Sequence, residues 1–246
     1  MTVLHKNHSF ATASFTSLDD MAVRLVGRAL ALAPKRDGLR MLDLGCGSGA
    51  VAIEAAKQRL DLRVVALDIG EANVAAARAR AEAEGVGLRV EAVHADYLLW
   101  RAGPFDLIVS DSVLYVIPGT DENLAACLAA DLAPGGLLVV TTPIESAINR
   151  IRIALRRIWR ALPPGADKLP SLIARRLYPE FPPQALAERV TYLRVIPTRL
   201  YGPAFRETLR RAGIEQILNE PWESLSGAKL THRLVAMRRC EEAAVH

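Results

Sequence analysis

Long apolar runs, cysteine and aromatic residues are all in short supply, and each shortage excludes something. No uncharged stretch in the 246 residues reaches the roughly 18 that a membrane-spanning helix needs, although 51% of the chain is hydrophobic. A soluble, globular protein is expected. The segment from Met1 to His8 has no apolar core of the kind a secretory leader carries. Cysteine occurs three times, at Cys46, Cys127 and Cys240, far apart and without a CxxC pair. That excludes a disulfide framework and a structural zinc pattern, predicts no metal, and points to a reducing, cytoplasmic compartment. Five Phe, five Tyr and three Trp leave little to stack on nucleic-acid bases or against a flat aromatic ligand. Internal repeats and low-complexity stretches are absent too.

The formal net charge is +4, but residues 144–211 hold 14 Lys/Arg against 5 Asp/Glu, while the rest of the chain holds 17 against 22. An acidic-leaning body therefore carries one basic segment, where an anionic partner would be sought. The length suits a single domain over residues 1–246, with residues 144–202 as a helical, lid-like insertion and residues 1–16 as an N-terminal arm, folded over the site or frayed.

Periodicity gives the outline. A helix is expected from about residue 18 to 33, capped by Ser17 and stopped by Pro34. Strands are then expected at 40–44, 63–67, 89–93, 106–110 and 137–141, with helices at 49–59, 71–84 and 121–132 between them. Short apolar strands alternating with helices predict a doubly wound α/β fold around a mostly parallel sheet. A helix opened by Pro203 and closed near Gly213 precedes two more strands, at 214–219 and 233–238.

The first strand runs into a glycine-paved turn, Asp43-Leu-Gly-Cys-Gly-Ser-Gly49, which leaves the backbone open to close approach by a ligand. Gly45-x-Gly47-x-x-Ala50, with Asp68 about 20 residues on, also fits a dinucleotide fingerprint. The acids weigh against that reading. Asp43 would repel a diphosphate and attract a cation. Asp68 and Asp96 follow the next two strands, and three acids at three strand ends suit an adenosine with a positively charged tail.

These motifs, together with Val-Val-Ala-Leu-Asp68-Ile, Ala95-Asp96, Phe105-Asp-Leu-Ile-Val-Ser110 and Leu132-Ala-Pro-Gly-Gly-Leu-Leu-Val-Val140, resemble those of class I S-adenosylmethionine-dependent methyltransferases. The resemblance covers residues 38–142 and 203–239. It implies a seven-stranded sheet closed by an antiparallel hairpin, with S-adenosyl-L-methionine as the cofactor. By the same resemblance, Gly45, Cys46 and Gly47 would lie along its methionine part, with Asp43 near the ammonium. Asp68 would hold both ribose hydroxyls, Asp96 would meet the adenine amino group between Ile69 and Ala95, and Ser110 would lie near the methyl group.

The acceptor is less legible. Asp111-Ser-Val-Leu-Tyr115 falls where the family lines its acceptor pocket. It lacks the Asn/Asp-Pro-Pro-Tyr/Phe signature of enzymes acting on amide or exocyclic amino nitrogens. Asp111 is the first candidate for a base or an anchor, and Tyr115 the second. His94 reads as a structural histidine, His232 as a weaker candidate, and His5 and His8 would need the arm to fold over. Residues 146–162 form a basic amphipathic helix. Three roles fit this insertion: a lid whose Arg175, Arg176 or Arg199 clamps an anion, a docking element for a membrane, carrier protein or RNA, or a solvated basic face around a packed apolar stripe. The expectation is methyl transfer to oxygen or nitrogen of a small metabolite, anionic or lipid-like. An RNA methyltransferase and a cofactor-binding subunit without turnover are the alternatives.

Overall fold

Adjacent residues of the central strands point into opposite helix layers, which is why these strands read as unbroken apolar runs. In the computed structural model, which describes residues 19–163, 172, 175–176, 195–222 and 231–241, seven strands form one sheet. They are β1 (Arg40–Leu44), β2 (Arg63–Asp68), β3 (Val90–His94), β4 (Phe105–Asp111), β5 (Leu132–Pro143), β6 (Ile214–Pro221) and β7 (His232–Arg239). Their spatial order is β3-β2-β1-β4-β5-β7-β6, parallel except for β7, which runs antiparallel to both of its neighbours. The expected architecture and the closing hairpin are both present.

Helices α1 (Asp19–Leu32), α2 (Ala50–Gln58) and α3 (Glu71–Ala83) cover one face. Their Leu25, Ile53 and Ala77 pack with Met41, Val64, Leu107, Val139 and Ala236. Helices α4 (Asp121–Asp131) and α6 (Pro203–Arg211) cover the other, where Leu124, Leu128, Phe205 and Leu209 meet Leu42, Leu67, Ile108, Val140 and Val235. Helix α5 (Ala147–Ala161) stands apart from both layers. Within α2, Ala50, Ala52, Ala55 and Ala56 are all buried, so small side chains bring this helix close to the sheet.

Most expected elements lie within two residues of their observed bounds. Strand β5 is the exception, beginning at Leu132 rather than 137, because Leu132 pairs back to Phe105 ahead of the regular ladder with β7. The N-terminal arm with Ser17, His5 and His8, most of residues 164–194 and the 223–230 loop lie outside the described residues. No described helix is long and apolar enough to cross a membrane.

Leu42 is wholly buried in the second of these cores. Leu42→Ala should destabilise the protein by about 2–5 kcal/mol through lost transfer energy and the cavity left behind, read as a lower denaturant midpoint at unchanged m-value.

Candidate active site

Strand order reverses between β1 and β4, and ligands of open α/β sheets bind beyond the carboxyl ends of the strands at such a reversal. Asp43 lies one residue before the end of β1, while Asp68 ends β2, His94 ends β3 and Asp111 ends β4. Because β7 is antiparallel, its first residue, His232, comes to the same edge, paired with Pro143 at the end of β5.

The four N–H groups of Gly45, Cys46, Gly47 and Gly49 all have partners within the protein. Gly45 and Cys46 both donate to the Leu67 carbonyl at 2.8 and 2.9 Å, and Gly49 donates to the Cys46 carbonyl at 2.8 Å. Gly47 N–H goes to Asp68 Oδ2 at 2.9 Å, and Ala52 N–H, in the first turn of α2, goes to Asp43 Oδ2 at 3.0 Å. A phosphate at a helix N-terminus needs such donors free; here Asp68 holds that of Gly47 and Asp43 that of Ala52, and both acids would repel it. The two readings of the turn therefore separate in favour of a cation.

Asp43 is almost fully buried, and burial pushes its carboxyl up to about 8. The Ala52 N–H opposes that rise, and the charges of Asp111 and Asp68 add to it. Burial, aided by the neighbouring acids, thus keeps a proton on Asp43 that a ligand's positive charge would displace. The same surroundings raise the Cys46 thiol well above its ordinary value, so it remains a protonated, buried side chain within the turn.

Asp68 has a double task. Its Oδ1 accepts from Gly70 N–H at 2.7 Å and from Asn73 Nδ2 at 3.0 Å, in addition to the Gly47 bond on Oδ2. Three of a carboxylate's roughly four lone-pair positions are thus in use, which leaves room for one ribose hydroxyl more readily than for two. Asp96 is buried and caps its own turn through Oδ1 to Leu98 N–H at 3.0 Å. Ala95 and Ile69 are half-buried on either side of the β2 and β3 ends. At Gly45, φ is +80° and a Cβ would come within 2.4 Å of Val113, so only glycine fits where the turn meets the loop after β4. Ser110 is likewise engaged by the protein itself. It is completely buried, and its hydroxyl donates to the Leu44 carbonyl at 3.1 Å, pinning β4 to β1.

The loop after β4 starts with strain. Ser112 adopts φ 60°, a conformation that non-glycine residues rarely take. Asp111 Oδ1 accepts from Thr141 Oγ1 at 2.5 Å and from Ser112 Oγ at 3.3 Å. Arg199, one of the residues expected to clamp an anion, instead holds this loop. It is buried, and its guanidinium donates to the carbonyls of Leu114, Ile117 and Gly119 and to Asp121 Oδ1 at 2.6–3.0 Å. Arg175 and Arg176 are exposed.

Tyr115 is buried with its carbonyl held by Thr198, and burial raises its phenol above the ordinary range. It can donate a hydrogen bond, but it is a poor proton acceptor near neutral pH. His232 lies close enough to Asp111 to feel its charge. Burial, then the charges of Arg152 and Arg156, bring this imidazole down to about 4. His94 bonds the Ile69 carbonyl at 3.1 Å, a structural role as expected. The sequence marked residues 146–162 as a basic amphipathic helix, and Asn149, Arg152 and Arg156 lie on the side of it that meets the body. What the sequence did not say was that this side meets Ile144, Thr231 and Val195, with His232 close enough to feel both its arginines and Asp111.

A family model described as a methyltransferase domain matches residues 35–162. The ubiquinone biosynthesis O-methyltransferase of a Caulobacter species is 36% identical over 132 residues, covering 52% of this chain and 51% of that protein. The Rhizobium leguminosarum protein of the same description is 30% identical over 169 residues, 68% of this chain and 66% of that one. The chain thus spans about half to two thirds of these relatives. Among solved structures, the mitomycin 7-O-methyltransferase MmcR superposes with a TM-score of 0.57 at 17% identity, over 89% of this chain and 54% of that one. The magnesium protoporphyrin IX methyltransferase of Synechocystis with bound SAH gives 0.58 at 16%, over 90% and 83%. The cyclase SpnF gives 0.61 at 17%, over 93% and 87%. At these identities the likeness is one of fold.

Asp43→Asn keeps an acceptor for Ala52 N–H and removes the charge. Since the folded protein holds the Asp43 proton up to about pH 8, whereas the unfolded chain releases it near the ordinary value of 3.8, wild-type stability should fall as pH rises between these limits. The D43N protein should gain on wild type by a few degrees in Tm across that window and match it at lower pH; parallel melting curves at every pH would refute the assignment.

Proposed function

The chain belongs to the class I S-adenosylmethionine-dependent methyltransferases, and from that membership we propose that it transfers a methyl group to an oxygen of a small molecule. The observation that carries the reading is the carboxylate cluster of Asp43, Asp68 and Asp111 around a turn whose backbone donors are already taken. S-adenosylmethionine fits that donor set, because it brings two positive charges and no phosphate. When bound, it supplies a methyl group activated by a sulfonium.

The residues of the chain do the rest. Asp43 would balance the ammonium, and Asp68 would accept from a ribose hydroxyl. Asn73 Oδ1, buried and without a partner among the described residues, offers a second acceptor beside Asp68. Asp96 would accept from the adenine amino group, with Ile69 and Ala95 against the ring. Gly45, Cys46 and Gly47 would supply the close wall at the methionine end, and Ser110 would support that wall by fixing β4 to β1.

Transfer between two bound groups depends chiefly on holding the nucleophile in line. Asp111, oriented by Thr141 and Ser112, would take the proton of an acceptor hydroxyl, and Tyr115 would anchor the acceptor as a donor. The inward guanidiniums of Arg152 and Arg156 support an acceptor with anionic character. The oxygen assignment draws on the O-methyltransferases among the relatives and on the missing signature for amide and amino nitrogens.

Two measurements test this reading. Binding of S-adenosylhomocysteine at neutral pH should release a proton, because its ammonium lowers the Asp43 carboxyl from about 8. Calorimetry in buffers of different ionisation enthalpy would detect the release, and D43N should abolish it; the same proton count in both proteins would remove Asp43 from the ligand site. Asp111→Asn should lower kcat about a hundredfold or more on an accepted hydroxyl substrate while leaving cofactor affinity within a few fold. A D111N enzyme with wild-type kcat would reject the base, whereas cofactor binding with no turnover on any hydroxyl acceptor would favour a binding subunit.

A further inference from the structure

Helix α5 packs inside out. Its inward side is polar: Asn149 is buried and its Nδ2 donates to the carbonyls of Ile144 and Thr231 at 2.8 Å. Arg152 Nη1 reaches Thr231 Oγ1 at 3.0 Å, and Arg156 Nη1 reaches the Val195 carbonyl at 3.1 Å. The outward side carries Ile148, Ile151, Leu155, Ile158 and Leu162, alternately three and four residues apart, the spacing that lines one helix face. These side chains are 47, 60, 60, 64 and 40% exposed. Ala147, Ala154 and Ala161 extend the same exposed face. Leaving aliphatic side chains of this size in water forgoes the main stabilising contribution of folding, so a continuous row of them marks a contact surface.

Charge selects what that surface meets. Helix α5 contains five arginines and no acid. Arg157 and Arg160 are exposed, as are Arg175 and Arg176 further on, and Arg150 makes an exposed ion pair with Glu145. Pairing with α5 of a second copy would bring like charges together with no acid on either helix to offset them. A nucleic acid would satisfy the arginines and leave the aliphatic row uncovered. An anionic bilayer satisfies both, with acyl chains under the row and headgroups at the arginines, whose aliphatic stems lie along the apolar surface. Fifteen residues make a helix about 22 Å long, too short to span a bilayer and long enough to lie in its interface.

We propose that α5 is a docking helix that lies in the headgroup layer of an anionic lipid bilayer with its Ile/Leu row toward the acyl chains. The inference is independent of the methyl-transfer reading.

Sedimentation of the full chain with vesicles tests it. The protein should pellet with phosphatidylcholine mixed with phosphatidylglycerol, much less with phosphatidylcholine alone, and less again as salt is raised. The I151D/L155D variant alters exposed positions and should keep wild-type thermal unfolding while losing vesicle binding. R157Q/R160Q should weaken binding about fivefold per arginine. Equal pelleting of I151D/L155D and wild type would overturn the proposal, as would equal pelleting on neutral and anionic vesicles. A dimer that I151D/L155D dissolves, with no binding of wild type to either vesicle, would assign the row to a second copy and overturn it too.

Discussion

Two hydrogen bonds from backbone to carboxylate, Gly47 N–H to Asp68 and Ala52 N–H to Asp43, govern the rest of the site. They close the glycine turn on itself, set α2 against β1, and make the end of the first two strands anionic where a phosphate site would be cationic. Their cost is the burial of Asp43 beside two other acids. A fold tolerates such a buried acid where binding of a cation stabilises its charged form, and this connects the local geometry of the turn to the chemistry of its ligand.

The loop after β4 is a second fixed point. Ser112 enters it in a left-handed conformation, Val113 presses onto Gly45, and Arg199 gathers the carbonyls of Leu114, Ile117 and Gly119. The glycine turn and the loop after β4 are therefore in direct contact. That a cyclase shares this fold with the methyltransferases underlines where specificity resides: in loops such as this one, borne on a common sheet.

Much of this was legible in the sequence. Unbroken apolar runs such as Leu137 to Val140 reported strands covered on both faces, and the acids placed after successive strands reported a cationic ligand. Other features were not, for identifiable reasons. Periodicity shows that α5 has an apolar side but carries no sign for which side meets the body; that depends on Asn149 finding the carbonyls of Ile144 and Thr231, the latter 82 positions away. Arg199 looked like a ligand residue because its four partners come from a loop distant in sequence. Ser110 and Gly45 were placed on the correct turn and strand, but whether a ligand or the protein itself fills the adjacent space is a matter of packing, which spacing does not encode.

The mutual hold of carboxylates and turn also constrains how this site could change over evolutionary time. Converting it to bind a dinucleotide would mean replacing Asp43, the acid that repels a phosphate, whereas Asp68 stands where a dinucleotide site also keeps an acid for the ribose. The glycines and Asp68 are therefore interchangeable between two ligand worlds, and Asp43 alone ties the turn to one of them.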